Sequence, residues 1–212
     1  MKRYYSYFSL FSPRKLRSFL SFGVKGYLAE IGWIEAYDKK KPIDIEGKPL
    51  PWLTYSAIDF LDERLNAQMS LFEYGSGSST RYFASKVQHV TSVEHDQQWF
   101  EQVSKDLPKN VDLTFQIIDT DGKYCRTCLG GTYDIILIDG RDRNNCCKQA
   151  IQSLNAGGVI IFDDTERTKY NESTTFLNEN GFRKLSFSGI SPGFFYRKET
   201  SVFYRPNNCL GI

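Results

Sequence analysis

The sequence predicts a doubly wound α/β fold on a mostly parallel sheet, with an N-terminal extension. Three observations predict it. Apolar runs of strand length alternate with segments of helical period from residue 54 onward. The early runs end in acidic residues or a glycine turn, at the edge where open α/β sheets take ligands. The last two runs, 182–188 and 201–205, have no helix between them and should pair antiparallel, which makes seven strands in all.

Residues 1–53 read as extension and linker, and 54–212 as the domain. The stretch 1–28 carries Lys2, Arg3, Arg14, Lys15, Arg17 and Lys25, with no acid before Glu30. Phe8, Phe11, Leu16, Phe19, Leu20, Phe22 and Tyr27 are interleaved with them. Packing on its own domain or a partner is the expectation, and peripheral contact with an anionic membrane surface is the alternative. Lys39-Lys40-Lys41-Pro42 reads as a solvated loop. Thr54 is expected to cap a helix in which Ile58, Leu61 and Leu65 recur at helical spacing. Trp52 and Tyr55 flank its start; packing is their first reading, and lining the mouth of a site the second.

The centre of the chain is Leu71-Phe72-Glu73-Tyr74-Gly75-Ser76-Gly77-Ser78-Ser79-Thr80. It reads as a buried strand, a turn and a helix start. Gly75 and Gly77 permit positive φ and close backbone approach to a ligand, and Ser78 or Ser79 can cap the helix. A tight turn of small residues is the plain alternative. The second strand, 90–93, ends in Glu94-His95-Asp96. Glu94 stands about twenty residues after the turn, where a ribose-binding carboxylate belongs in a mononucleotide-binding unit. His95 joins this set, although a lone histidine at a strand end is more often structural. Asp96 is the expected cap of a helix bearing Trp99, Phe100 and Val103 on its apolar face.

The third strand, 113–118, leads to Asp119 and Asp121, either of which can accept from an adenine amino group or simply build an Asp-Gly turn. The fourth, 133–138, is apolar on both faces and therefore central, and Asp139 ends it beside the first strand. The fifth, 159–162, ends in Asp163-Asp164.

Net charge is +2, which makes no case for a nucleic-acid partner. No apolar run is long enough to span a bilayer, a signal peptide is not expected, and the cytoplasm is the default. Cys125, Cys128, Cys146, Cys147 and Cys209 are odd in number. Cys125-Arg126-Thr127-Cys128 has zinc-ligand spacing, but no second such pair exists, so loop or buried thiols are expected.

On Glu73–Gly77, Glu94, Tyr133–Gly140, Gly157–Asp164 and the closing strand pair, residues 54 to 212 resemble the class I S-adenosylmethionine-dependent methyltransferases. The resemblance implies a Rossmann-like sheet with an antiparallel last strand and S-adenosylmethionine as cofactor. It also implies that Gly75, Ser76 and Gly77 pass under the methionine part and that Glu73 sits near its ammonium group. Glu94 would then hold the ribose, and Asp119 or Asp121 the adenine. The Pro-Trp stretch before the first helix, with Glu73–Gly77 and Val93–Asp96, is also similar to bacterial methyltransferase-like proteins encoded near polysaccharide genes, which points to a glycan or small-molecule acceptor. Thr80 departs from the pattern, standing where a small residue or glycine is frequent.

A hydroxyl acceptor needs a base or a metal. Asp139 and Asp163 are the candidate catalytic acids. With Asp164 they resemble the Mg²⁺ ligands of metal-dependent O-methyltransferases. Without a metal, the three carboxylates would need protonation or pairing with Arg141 or Arg143, and Asp139, beside the cofactor strand, would be the base. Two other readings stay open: an NAD(P)-dependent oxidoreductase or epimerase, and a non-catalytic cofactor-binding module.

Overall fold

The computed structural model describes residues 12–212. Lys2, Arg3, Phe8 and Phe11 of the basic, aromatic stretch lie outside the described residues.

Among the described residues seven strands form one sheet, in the order β3-β2-β1-β4-β5-β7-β6. They are β1 (Ser70–Tyr74), β2 (His89–Glu94), β3 (Val111–Phe115), β4 (Tyr133–Ile138), β5 (Leu154–Asp163), β6 (Arg183–Gly189) and β7 (Lys198–Tyr204). Neighbours among β1 to β5 pair parallel, and β7 runs antiparallel to both β5 and β6. This is the predicted mostly parallel, seven-stranded, doubly wound sheet. The order reverses between β1 and β4, so the switch point lies beside the glycine turn. Helices α1 (Pro13–Val24), α2 (Tyr27–Glu30) and α3 (Trp33–Lys39) precede the sheet. Helices α4 (Tyr55–Asp62), α5 (Ser78–Ala84), α6 (Gln97–Ser104), α7 (Arg143–Ala150) and α8 (Asn171–Glu179) cover its faces or ends.

Alternation along the strands makes two cores. Leu71, Ile135, Leu137, Val159, Ile161 and Val202 join Ile58 and Leu61 of α4 and Phe83 of α5. Phe72, Tyr74, Ile136, Ile138, Ile160, Phe162 and Phe203 join Cys146, Cys147 and Ala150 of α7 and Leu177 of α8. Both faces of the central strands are covered, which is why 135–138 of β4 and 159–162 of β5 are apolar without interruption.

Two strands differ from the sequence reading. The edge strand β3 starts and ends earlier, because its ladder with β2 closes at Glu94–Phe115. Ile117 and Ile118 beyond it are left exposed. Strand β5 begins at Leu154, since Tyr133 pairs with Leu154 before an irregularity in the ladder.

Helix α1 buries none of its residues, and Leu16, Phe19, Leu20, Phe22 and Val24 are exposed. Of the packing expected for the first 28 residues, on the domain or on a partner, α1 makes none with the core; further on, Trp33 lies in the core, and Leu28, Ile31 and Ile34 pack against it. Among the described residues, no helix is long and apolar enough to cross a membrane. The N-terminal helices are tied to the β6–β7 loop: Trp33 Nε1 donates to Phe194 O at 2.8 Å. Because β7 is antiparallel to β5, that loop lies at the C-terminal edge of the parallel strands.

Candidate active site

The turn after β1 is built on backbone that only glycine adopts readily. Gly75 has φ 106° and Gly77 φ 146°. Helix α5 begins at Ser78, with Gly77 in the cap position, so the expected serine caps are not used. Thr80 does that work instead. Its Oγ1 accepts from Gly77 N at 2.8 Å and donates to Glu73 Oε2 at 2.6 Å. The departure at Thr80 therefore has a structural task.

Glu73 has the same alternation as Leu71 and points under α5, where it is 1% exposed. Its carboxylate accepts from Ser79 Oγ, from Thr80 Oγ1 and from Ser92 Oγ at 3.1 Å. The structure thus puts Glu73 beneath the turn, held by hydroxyls of α5 and β2. Burial pushes its pKa up to about 7, against the pull of the three hydroxyls.

Glu94, at the end of β2, faces the turn. Ser76 Oγ donates to its Oε2 at 2.9 Å. The amides of His95 and Asp96 donate to its Oε1 at 2.7 and 3.0 Å. His95 Nδ1 lies 2.8 Å from the same oxygen. Asp96 caps α6 as predicted, accepting from Trp99 N at 2.9 Å. The Trp99 ring was expected on the apolar face of that helix. It instead covers the turn, donating from Nε1 to Ser76 O at 2.9 Å. A Cβ on Gly77 would come within 3.3 Å of that ring.

Asp119 and Asp121 are tied into the turn that follows β3. Asp119 accepts from the amides of Lys123 and Tyr124 at 2.8 and 3.0 Å, and those bonds hold its pKa below the ordinary value. Asp121 has φ 50° and pairs with Arg126 at 2.9 Å. The turn reading of this segment describes both residues.

At the ends of β4 and β5, Asp139, Asp163 and Asp164 converge, each with an oxygen within 4.8 Å of the others. Among the described residues they are the one group of acids, histidines or cysteines so placed. Three cations of the chain meet them. Arg143, on the first turn of α7, reaches Asp139 Oδ1 at 2.8 Å and Asp164 Oδ2 at 3.2 Å. Arg167 reaches Asp164 Oδ2 at 3.1 Å. Lys198, the first residue of β7, reaches Asp163 Oδ2 at 2.8 Å and Asp164 Oδ1 at 3.3 Å. Thr200 lies opposite Asp163 in the ladder and donates to its Oδ1 at 2.7 Å. Pairing with Arg143 was foreseen, but Arg167 and Lys198 were not.

Burial works against the Lys198 ammonium, but Asp163, Asp164 and Asp139 outweigh it and hold its pKa above the usual lysine value. Burial, then the Asp139 charge, raise Asp163 to about 7 despite Lys198. Burial likewise raises Asp139, against Arg143 and Lys198. Exposure separates the three acids: the side chains of Asp163 and Asp164 are 1% and 4% exposed, whereas that of Asp139 is 25% exposed. Cys125, Cys128, Cys146 and Cys147 are buried free thiols, as expected.

A glycine turn at the switch point, a carboxylate on the adjacent strand and acids across the next two strand ends occupy one sheet edge. Residues 72–165, which contain all of them, match the family model described as a methyltransferase domain. Fold and match define the class: the chain is an enzyme, a methyltransferase. Its fold is similar to that of a methyltransferase from Pyrococcus furiosus, 19% identical, with a TM-score of 0.53 over 92% of this chain and 99% of that one. It is also similar to precorrin-6y C5,15-methyltransferase from Geobacter metallireducens GS-15, at 14% identity and a TM-score of 0.54, covering 70% and 86% of the two chains. A Streptococcus mutans protein solved in complex with SAH aligns at 14% identity and a TM-score of 0.52, over 70% and 96%. At these identities the likeness is one of fold. No curated protein matches the chain.

Proposed function

We propose that the chain is an S-adenosylmethionine-dependent methyltransferase acting on a hydroxyl of a sugar, a glycan or another small molecule, with no metal in the step. The observation that carries this reading is the shared edge: the positive-φ turn after β1, Glu94 after β2 and the part-exposed Asp139 after β4. The Streptococcus mutans neighbour solved with SAH supports the choice of cofactor.

S-adenosylmethionine supplies a methyl group on a sulfonium, an electrophile whose charge disperses on transfer. Glu94 Oε2 is suited to a ribose hydroxyl, because it takes one hydrogen bond from a described residue, that of Ser76, and a carboxylate oxygen can accept two. Gly75, Ser76 and Gly77 form the floor under the methionine part, His95 flanks Glu94, and Glu73 holds the turn from below. Neither Asp119 nor Asp121 is assigned to adenine, since backbone and Arg126 already use their carboxylates.

Asp139 is the base. Arg143 takes its Oδ1, and no described residue hydrogen-bonds its Oδ2. A proton from the acceptor hydroxyl goes to that atom, and the raised pKa makes the carboxylate a stronger base. Asp163, 1% exposed, holds Lys198 and Thr200 in place rather than touching the acceptor. Mg²⁺ does not fit this trio. Asp164 Oδ1 is free of hydrogen bonds from described residues, but the Lys198 ammonium already lies between it and Asp163. A divalent ion would have to displace that buried cation.

Calorimetric titration with S-adenosylmethionine and with NAD, followed by turnover on hydroxyl acceptors with and without chelator, tests the proposal. Expected are S-adenosylmethionine binding without NAD binding, chelator-insensitive turnover, and a kcat about 10²-fold lower or worse in Asp139→Asn. NAD binding alone would restore the oxidoreductase reading. Turnover that vanishes with chelator and returns with metal would restore the Mg²⁺ reading. Full activity of Asp139→Asn would remove its role as base.

A further inference from the structure

We propose that the cleft between α3, Trp52 and the β6–β7 loop is the acceptor subsite, and that it takes a hydroxylated ring bearing a carboxylate or phosphate. The proposal rests on the methyltransferase reading and narrows its acceptor. The cleft is a cavity of about 470 Å³, lined among others by Tyr37, Asp38, Lys40, Lys41, Trp52 and Phe194. That volume suits one or two rings.

Position is the first argument. Lys198 Nζ donates to Trp52 O at 3.0 Å and to Asp163 Oδ2 at 2.8 Å, and lies 6.0 Å from the centre of the Phe194 ring. The inner end of the cleft therefore abuts the network that holds Asp139, while its rim faces solvent.

The walls are the second. Trp52 and Phe194 meet edge to face, with centroids 5.7 Å apart, and Tyr37 is half exposed beside them. Aromatic rings in a concavity offer apolar platforms to the C–H face of a sugar or to another flat ring.

Charge is the third. Lys39 pairs with Glu35 at 2.6 Å. Lys40 and Lys41, which line the cleft, form no ion pair with a described residue. Two unspent ammonium groups at one rim select an anion, and Asp38 beside them can accept from a hydroxyl. The lysine run expected to be a solvated loop is the charged lip of this cavity.

The test is calorimetric titration in the presence of saturating SAH, whose own affinity is measured in parallel. The probes are methyl glucuronide against methyl glucoside, and dihydroxybenzoate against catechol. Expected is at least tenfold tighter binding of one anionic probe than of its neutral counterpart. The preference should disappear in the Lys40→Gln/Lys41→Gln double variant, and Trp52→Ala should weaken that probe about tenfold. Whichever anionic probe binds names the ring as saccharide or aromatic. Equal affinity for charged and neutral members, a preference that survives in the double variant, or no binding by any probe while SAH is bound overturns the proposal. Failure of SAH itself to bind the wild-type chain overturns instead the methyltransferase reading beneath it.

Discussion

The two halves of the sheet's C-terminal edge both bury carboxylates, and they satisfy them differently. In the β1–β2 half, Glu73 and Glu94 are 1% and 3% exposed and have no lysine or arginine partner among the described residues. Hydroxyls and amides close by in the chain satisfy them, the farthest being Ser92, 19 positions from Glu73. In the β4–β5–β7 half, Asp139, Asp163 and Asp164 are met by Arg143, Arg167 and Lys198, the last 35 positions from Asp163. Hydroxyl donors can be exchanged for those of a ligand at little net cost, because one hydrogen bond replaces another. Buried ion pairs cannot, because removing one charge strands its partner. On the proposed function the first half receives the cofactor, and the ion pairs of Asp163 and Asp164 in the second hold a fixed field beside Asp139, the proposed base.

The largest test of that contrast is Lys198→Met. It should lower stability by about 3–5 kcal/mol in urea denaturation, since it leaves Asp163 and Asp164 buried with less countercharge. Adding Asp163→Asn should recover much of the loss. A single variant as stable as wild type would show that the charged half is not interlocked.

Next is the titration of Glu73. Its folded pKa, about 7, lies above the ordinary 4.5. Its stabilising contribution is therefore whole below about pH 4.5 and is lost as pH rises through 7. At about 1.4 kcal/mol per unit, the loss amounts to roughly 3 kcal/mol. Urea midpoints of wild type and Glu73→Gln between pH 4.5 and 8 should converge or cross as wild type falls, and parallel curves would contradict the shift.

Glu94→Ala bears on the ligand-receiving half alone. Calorimetry should show S-adenosylmethionine binding weaker by about 1.5–3 kcal/mol, the range for a hydrogen bond to a charged group, and the folding midpoint should also fall, because donors of Ser76, His95 and Asp96 lose their acceptor. Unchanged affinity in the folded variant would remove the ribose assignment. The smallest effect is expected from Trp99→Phe, which keeps a ring over the turn but loses the bond to Ser76 O. A loss of about 0.5–1.5 kcal/mol in cofactor affinity is expected, and a gain would mean that Trp99 obstructs the site.

Much of the ligand-receiving half was legible in the sequence because its partners are near neighbours. Gly75 and Gly77 announce backbone at positive φ, and Glu94 follows at the expected distance. Asp96 caps α6 as its position before Trp99 implied. Glu73 shares the two-residue alternation of Leu71, which sets it beneath α5. The turn at Asp119 and Asp121 was legible for the same reason, since the Asp-Gly signal is local.

By itself the sequence determined the class of fold, the central place of β4, the antiparallel closing strand and the glycine turn. Each of these is written in periods of two or 3.6 residues or in residues with special backbone freedom. Only the tertiary structure decided that Lys198 stands beside Asp163, that Trp99 covers the turn, and that Lys40 and Lys41 rim a cleft with Trp52 and Phe194. The register of β7 on β5 sets Thr200 opposite Asp163, and that register turns the residue two places earlier into the countercharge of a buried acid. A one-residue slip would aim Lys198 at the other face of the sheet, and no local pattern excludes that slip; the packing of both faces does.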